Sequence, residues 1–152
     1  MSVEIPVNAP ADFTMAFLHD HFVERAAAEG NAAATLDLAL RAPGLGGLTL
    51  EKAVDADVRY VAGRGAPTTL AIAWRPRNSG AFPRFRGTLT ATADGAERCR
   101  LSLAGSYVPP GGIAGRAFNA LVGQRIARAT LDDLLRGLAK AAEADYRLRV
   151  AL

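Results

Sequence analysis

The stretch "LAGSYVPPGGIAG", residues 103–115, decides the fold. Upstream of it, "RCRLSLAGSYV" alternates, with Cys99, Leu101, Leu103 and Tyr107 on one face and Arg98, Arg100, Ser102 and Ser106 on the other. That period of two is a half-buried β-strand. Pro109-Pro110 stop the strand, because proline cannot donate to a ladder, and Gly111-Gly112 permit a sharp reversal. Downstream, "GIAGRAFNALVGQRIARATLDDLLRGLAKAAEADY" has helical periodicity and would span about 50 Å if straight. Its apolar stripe takes two directions. Phe118, Leu121, Val122 and Ala129 define one; Leu134, Leu135, Leu138, Ala142 and Tyr146 define the other, with Gly123 a weak point for a bend.

Working back from that break, four more alternating segments appear. "TLDLALR" aligns Leu36, Leu38 and Leu40, and "LTLEKAVDADVRYV" aligns Leu48, Leu50, Val54, Val58 and Tyr60. "TTLAIAW" aligns Leu70, Ile72 and Trp74, and "RFRGTLTAT" aligns Phe85, Leu89 and Ala91. Turns rich in glycine and proline separate them, and Asp94-Gly95 is a hairpin signal. Five successive strands of this kind predict an antiparallel meander with one dry and one wet face. At the start, "SVEIPV" reads as a further strand and "NAPADFTMAFLHDHF" as a helix. Asn8 is the expected N-cap, Pro10 suits the first turn, and Phe13, Ala16 and Phe17 form the expected apolar stripe. Whether that helix runs on through "VERAAAEG" to Gly30-Asn31 or restarts is open at this level. The dry face must be covered, and the C-terminal segment is the expected cover. The fold class is therefore α+β, a single domain over residues 1–152, with an antiparallel sheet gripping a long C-terminal helix.

This order of elements resembles the START-like helix-grip superfamily, also called SRPBCC, which includes polyketide cyclases and lipid-transfer domains. The resemblance is carried by "GSYVPPGGIAGRAFNALVGQRIARATLDDLLRGLA", residues 105–139, in which Gly-x-Tyr-x-Pro-Pro-x-Gly leads into the helix. The strand pattern extends it over nearly the whole chain. The alanine- and charge-rich "LHDHFVERAAAEGNAAAT" departs from the family's pattern, and with it the second helix that usually precedes the second strand. The resemblance implies a curved sheet and a deep cavity beneath the helix that holds an apolar or amphipathic ligand. On the dry face, Tyr60, Ile72, Trp74, Phe85, Leu89, Leu103 and Tyr107 are the expected wall. Phe118, Val122 and Arg125 would face them from the helix. Small residues such as Ala56, Gly87 and Ala91 either leave room for a ligand or let the helix approach closely.

Lys52 is the one charge on the apolar side of its strand. Pointing inward, its ammonium would meet a carboxylate, phosphate or enolate oxygen; a strand end or bulge would turn it to water instead. Tyr60 and Tyr107 carry hydroxyls that need partners when buried, so each could orient a ligand carbonyl or simply pack. Arg125 and Arg116 could reach an acidic ligand at the cavity mouth or remain solvated helix charges. Three functions stay open: binding of a small hydrophobic or amphipathic ligand, which leads; a cyclase or dehydratase acting on a polyketide-like substrate; or a solid interaction domain. Whether the protein is an enzyme is thus undecided, and no catalytic residue is assigned.

Other signals are weak. "HDH" at 19–21 places its histidines two apart on a helix, where they do not share a face, so no metal site is expected. "GLGG" at 44–47 lies between strands and opens no helix, so it is no dinucleotide cradle, and no cofactor is expected. Cys99 reads as a small buried hydrophobe, and a lone cysteine fits a reducing cytoplasm. The net charge of +3 rests on scattered arginines, with Arg75, Arg77, Arg84 and Arg86 the one loose cluster, so nucleic acid is not expected as a partner. The apolar runs are too short to span a bilayer, and the first residues, with Glu4 and no basic n-region, do not read as a secretory signal. A homodimer is compatible with the sequence.

Overall fold

In the computed structural model, described for residues 1–28, 34–41, 49–60, 69–76, 84–108 and 122–152, six strands form one antiparallel sheet. They are β1 (Ser2–Val7), β2 (Ala34–Arg41), β3 (Thr49–Tyr60), β4 (Thr69–Pro76), β5 (Arg84–Ala93) and β6 (Cys99–Val108). Helix α1 (Ala11–Ala28) follows β1, and helix α2 (Val122–Val150) closes the chain. The strand order is β1-β6-β5-β4-β3-β2. Strands β2 to β6 are thus the expected meander, and β1 joins it beside β6, with Val3 opposite Leu103 and Ile5 opposite Leu101. The registers of all five ladders run without a bulge. The alternation seen in the sequence therefore holds across the sheet: Val3, Ile5, Val7, Leu70, Ile72, Trp74, Phe85, Leu89, Leu101 and Leu103 are all buried on one side.

Helix α2 runs unbroken for 29 residues, about 43 Å. Ala127, Leu131, Leu135, Leu138, Ala139 and Ala142 form its buried line, and Leu134 and Tyr146 flank it half-buried. One stripe thus serves the helix from 127 to 146, and no bend is needed there. Ala129 sits beside that stripe, only half-buried. Gly123 lies in the first turn and breaks nothing; residues 113–121, including Phe118 and Leu121, lie outside the described residues. Among the described residues α2 lies against both edge strands, β1 and β2, and against β6, but not against β3, β4 or β5. A sheet whose two edges meet one helix while its middle stands away is curled around that helix.

The space under the middle strands belongs to α1. It lies against β2 to β6 and against α2, so the dry face is covered by two helices and not by α2 alone. The helix is continuous from Ala11 to Ala28, and Gly30-Asn31 lie outside the described residues. The second helix that the family's pattern would place before β2 falls on residues 29–33, which lie outside the described residues. Two local expectations change. The buried face of α1 is Thr14, Met15, Leu18 and Phe22, while Phe13 and Phe17 are half-buried and Ala16 is exposed. Both sets have helical spacing, and it is the flexible Met15 with Leu18 and Phe22 that packs into the core cluster. The N-cap is Pro10, whose carbonyl accepts from Thr14 N at 2.9 Å. Asn8 instead donates its backbone N–H to Glu143 Oε1 at 2.9 Å, which ties the β1–α1 corner to α2.

Candidate functional site

The concave face is organised in cross-strand rows. Ala56, Trp74, Phe85 and Tyr107 stand opposite one another on β3, β4, β5 and β6. In the next row on this face Val58, Ile72, Gly87 and Gly105 are in register, and in the one after it Tyr60, Leu70, Leu89, Leu103 and Val3. The register thus brings Tyr60, Ile72, Trp74, Phe85, Leu89, Leu103 and Tyr107 onto one continuous patch of backbone. Ile72, Trp74, Phe85, Leu89 and Leu103 are buried there.

The glycine pair explains the shape of this patch. A Cβ on Gly87 would meet the Ala104 carbonyl oxygen, and the Phe85 ring at 2.8 Å. A Cβ on Gly105 would meet the Arg86 carbonyl oxygen, Gly87 Cα at 2.6 Å and Phe85 Cζ at 2.7 Å. The two glycines form a floor on which the Phe85 ring lies down. Gly87 therefore makes room for neither ligand nor helix; the space is taken by Phe85. Trp74 then stacks on that ring, with centroids 4.4 Å apart and planes inclined by 21°. The stack is 2–4% exposed, and the Trp74 indole Nε1–H has no hydrogen-bond partner among the described residues. An indole N–H hidden from water without an acceptor costs about 1–3 kcal/mol. It is the one buried side-chain nitrogen or oxygen left open among the described residues. The other buried polar groups there are matched. Thr14 Oγ1 donates to Pro10 O at 2.8 Å, and Cys99 Sγ donates to Thr14 Oγ1 at 3.6 Å. Burial raises the Cys99 thiol above its ordinary range and outweighs the Thr14 hydrogen bond, which acts the other way, so it stays a neutral core group.

Lys52 sits at the same parity of β3 as buried Ala56 and opposite Leu38, in a ladder with no bulge. It is four positions from Ala56, about 13 Å along the strand, so it does not share a row with Trp74. Val122 and Arg125 fall in the first turn of α2. Phe118 and Arg116 lie outside the described residues.

The sequence reading missed α1 as a wall of this site. Met15, Leu18 and Phe22 join the same buried cluster as Trp74 and Phe85. Their i, i+3 and i+7 spacing was present in the sequence, overshadowed by the aromatic pair Phe13 and Phe17.

An antiparallel sheet curled around a long C-terminal helix defines the helix-grip class of α+β architecture. Among solved structures, the chain is similar to the protein TTHA0849 of Thermus thermophilus, with a TM-score of 0.53, 17% identity, and 95% of this chain and 97% of that chain covered. A looser likeness, with a TM-score of 0.44 and 20% identity over 99% of this chain and 94% of the other, is to the Zhui aromatase/cyclase from Streptomyces sp. R1128. The first supports the architecture; neither speaks to activity. No family model and no curated protein matches the chain.

Proposed function

We propose that this protein binds a small hydrophobic or amphipathic ligand on the concave face of the sheet, next to the Trp74–Phe85 stack and between the sheet and its two covering helices. The observation that supports it most is the Trp74 indole N–H, buried beside an aromatic surface and without an acceptor among the described residues. A ligand carbonyl, ether or phenolic oxygen would satisfy that donor while its apolar body gains affinity by burial. In this reading Ile72, Leu89 and Leu103 supply apolar wall, and Tyr60, Tyr107, Phe118, Val122 and Arg125 complete the lining. A second reading, a cyclase- or dehydratase-type enzyme, draws support from one feature. Lys52 lies at an inward parity in a regular ladder, where a cation is suited to stabilising an enolate oxygen.

Native mass spectrometry of freshly purified protein tests the binding reading, with co-purified small molecules released and identified. The Trp74→Phe variant then isolates the donor, since it keeps an aromatic ring and removes the N–H. Ligands that carry a carbonyl should bind it about three- to tenfold more weakly than they bind wild type, the loss of one hydrogen bond. Analogues lacking the oxygen should bind both proteins alike. Folded wild-type protein that takes up no member of an apolar ligand panel would remove the proposal. Under the enzyme reading, Lys52→Met should abolish turnover and leave binding intact.

A further inference from the structure

Helix α1 carries a second apolar face, half-buried at the edge of the core. Phe13, Phe17 and His21, spaced i, i+4 and i+8, stack in sequence, with centroids 6.4 Å and then 5.6 Å apart. They form the floor of a groove of about 240 Å³ between α1 and the last turns of α2. Its rim is acidic: Asp20 and Glu24 from α1, and Asp145 from α2. The groove already holds one cation. The Arg149 guanidinium lies 5.7 Å from the centroid of the Phe13 ring, and its Nε donates to Asp145 Oδ2 at 3.0 Å. An aromatic face next to a carboxylate is the arrangement that selects a cation with apolar flanks. Arg149 is 69% exposed, so its hold on the place is weak and an outside cation can displace it. The rings of this groove stand on a different face of α1 from the buried Met15, Leu18 and Phe22 that join the Trp74 cluster.

We propose that the groove between α1 and the end of α2 is a binding site for a small organic cation with an aromatic arm, an arylalkylammonium, with Arg149 as the internal group it displaces. The ammonium takes the place of the guanidinium between the Phe13 ring and Asp145, and the aromatic arm lies along Phe17 and His21. Partial burial together with the nearby Arg25 lowers the His21 pKa, so at neutral pH its ring is an uncharged surface that does not repel the ligand.

The test is a titration of the ¹⁵N-labelled full chain with phenethylammonium chloride, followed by amide chemical shifts, with neutral 2-phenylethanol as the control. Saturable shifts confined to residues 13–24 and 145–149 are expected with the ammonium and not with the alcohol. Arg149→Ala, which vacates the place, should tighten binding by about two- to fivefold. Asp145→Asn and Phe13→Leu should each weaken it in proteins whose spectra remain dispersed. Equal binding of the alcohol overturns the claim of cation selectivity. Weaker binding to Arg149→Ala overturns the displacement claim. No saturable shift in either wild type or Arg149→Ala overturns the site.

Discussion

Alanine at Gly105 and alanine at Gly137 should change stability in opposite directions, and the contrast measures how tightly the sheet is curled under Phe85. At Gly105 the new Cβ would meet three groups: the Arg86 carbonyl oxygen, Gly87 Cα at 2.6 Å and Phe85 Cζ at 2.7 Å. The first two are backbone of the neighbouring strand, so the clash cannot be relieved by a rotamer. Either β6 lifts from β5, at a cost of one or two ladder hydrogen bonds of about 1 kcal/mol each, or the core takes an overpacking strain of about 1–3 kcal/mol. The expected loss is about 3 kcal/mol, a lowering of Tm by roughly 6–12 °C for a chain of this size. Gly137 is exposed on α2 and nothing lies within 4 Å of an added Cβ. There alanine should stabilise by about 0.5–1 kcal/mol, the helix-propensity difference. Thermal and urea unfolding followed by circular dichroism give both numbers. A Gly105→Ala protein as stable as wild type would refute the glycine floor, and with it the placement of the Trp74–Phe85 stack.

The same packing makes further outcomes measurable. Leu135 is fully buried on the line where α2 enters the curl, so Leu135→Ala should cost about 2–5 kcal/mol, while Leu148→Ala, on an exposed side chain, should stay within about 0.5 kcal/mol. His21 titrates below its ordinary value of 6.5 in the folded protein, first because burial disfavours its charge and then because Arg25 is near. The unfolded chain therefore binds the proton more readily. Stability held above pH 6.5 should fall as the pH drops through that value toward the folded pKa. His21→Gln should flatten that dependence in denaturant titrations between about pH 8 and 5, and an unchanged slope would count against it. Cys99 is buried and neutral, so the native thiol should resist iodoacetamide at about pH 8 and react promptly in denaturant. Rapid native labelling would contradict its placement.

The strands were legible in the sequence because half-buried strands announce themselves by alternation, and each of the five meander segments falls within a residue or two of its observed bounds. The pairing of β1 with β6 was not, since a strand's partner depends on curvature that no local pattern encodes. Helix faces were harder to read. On α1 both Phe13/Phe17 and Met15/Leu18/Phe22 fit a helical stripe, and only the curl of the sheet selects which one is buried. The site was read in part for the same reason. Parity placed Trp74 and Phe85 on the dry face, but the fact that Gly87 and Gly105 exist to seat the Phe85 ring emerges only when the two strands are side by side.

Trp74 is the sole tryptophan of the chain, so its emission reports on the proposed site without interference. The direct measurement is energy transfer from Trp74 to a bound anilinonaphthalene sulfonate. Transfer that saturates at one equivalent on the folded protein, and that carbonyl-bearing apolar ligands reverse, is the predicted result. Unquenched Trp74 emission across the whole titration, with the fold intact, would contradict ligand binding on the concave face.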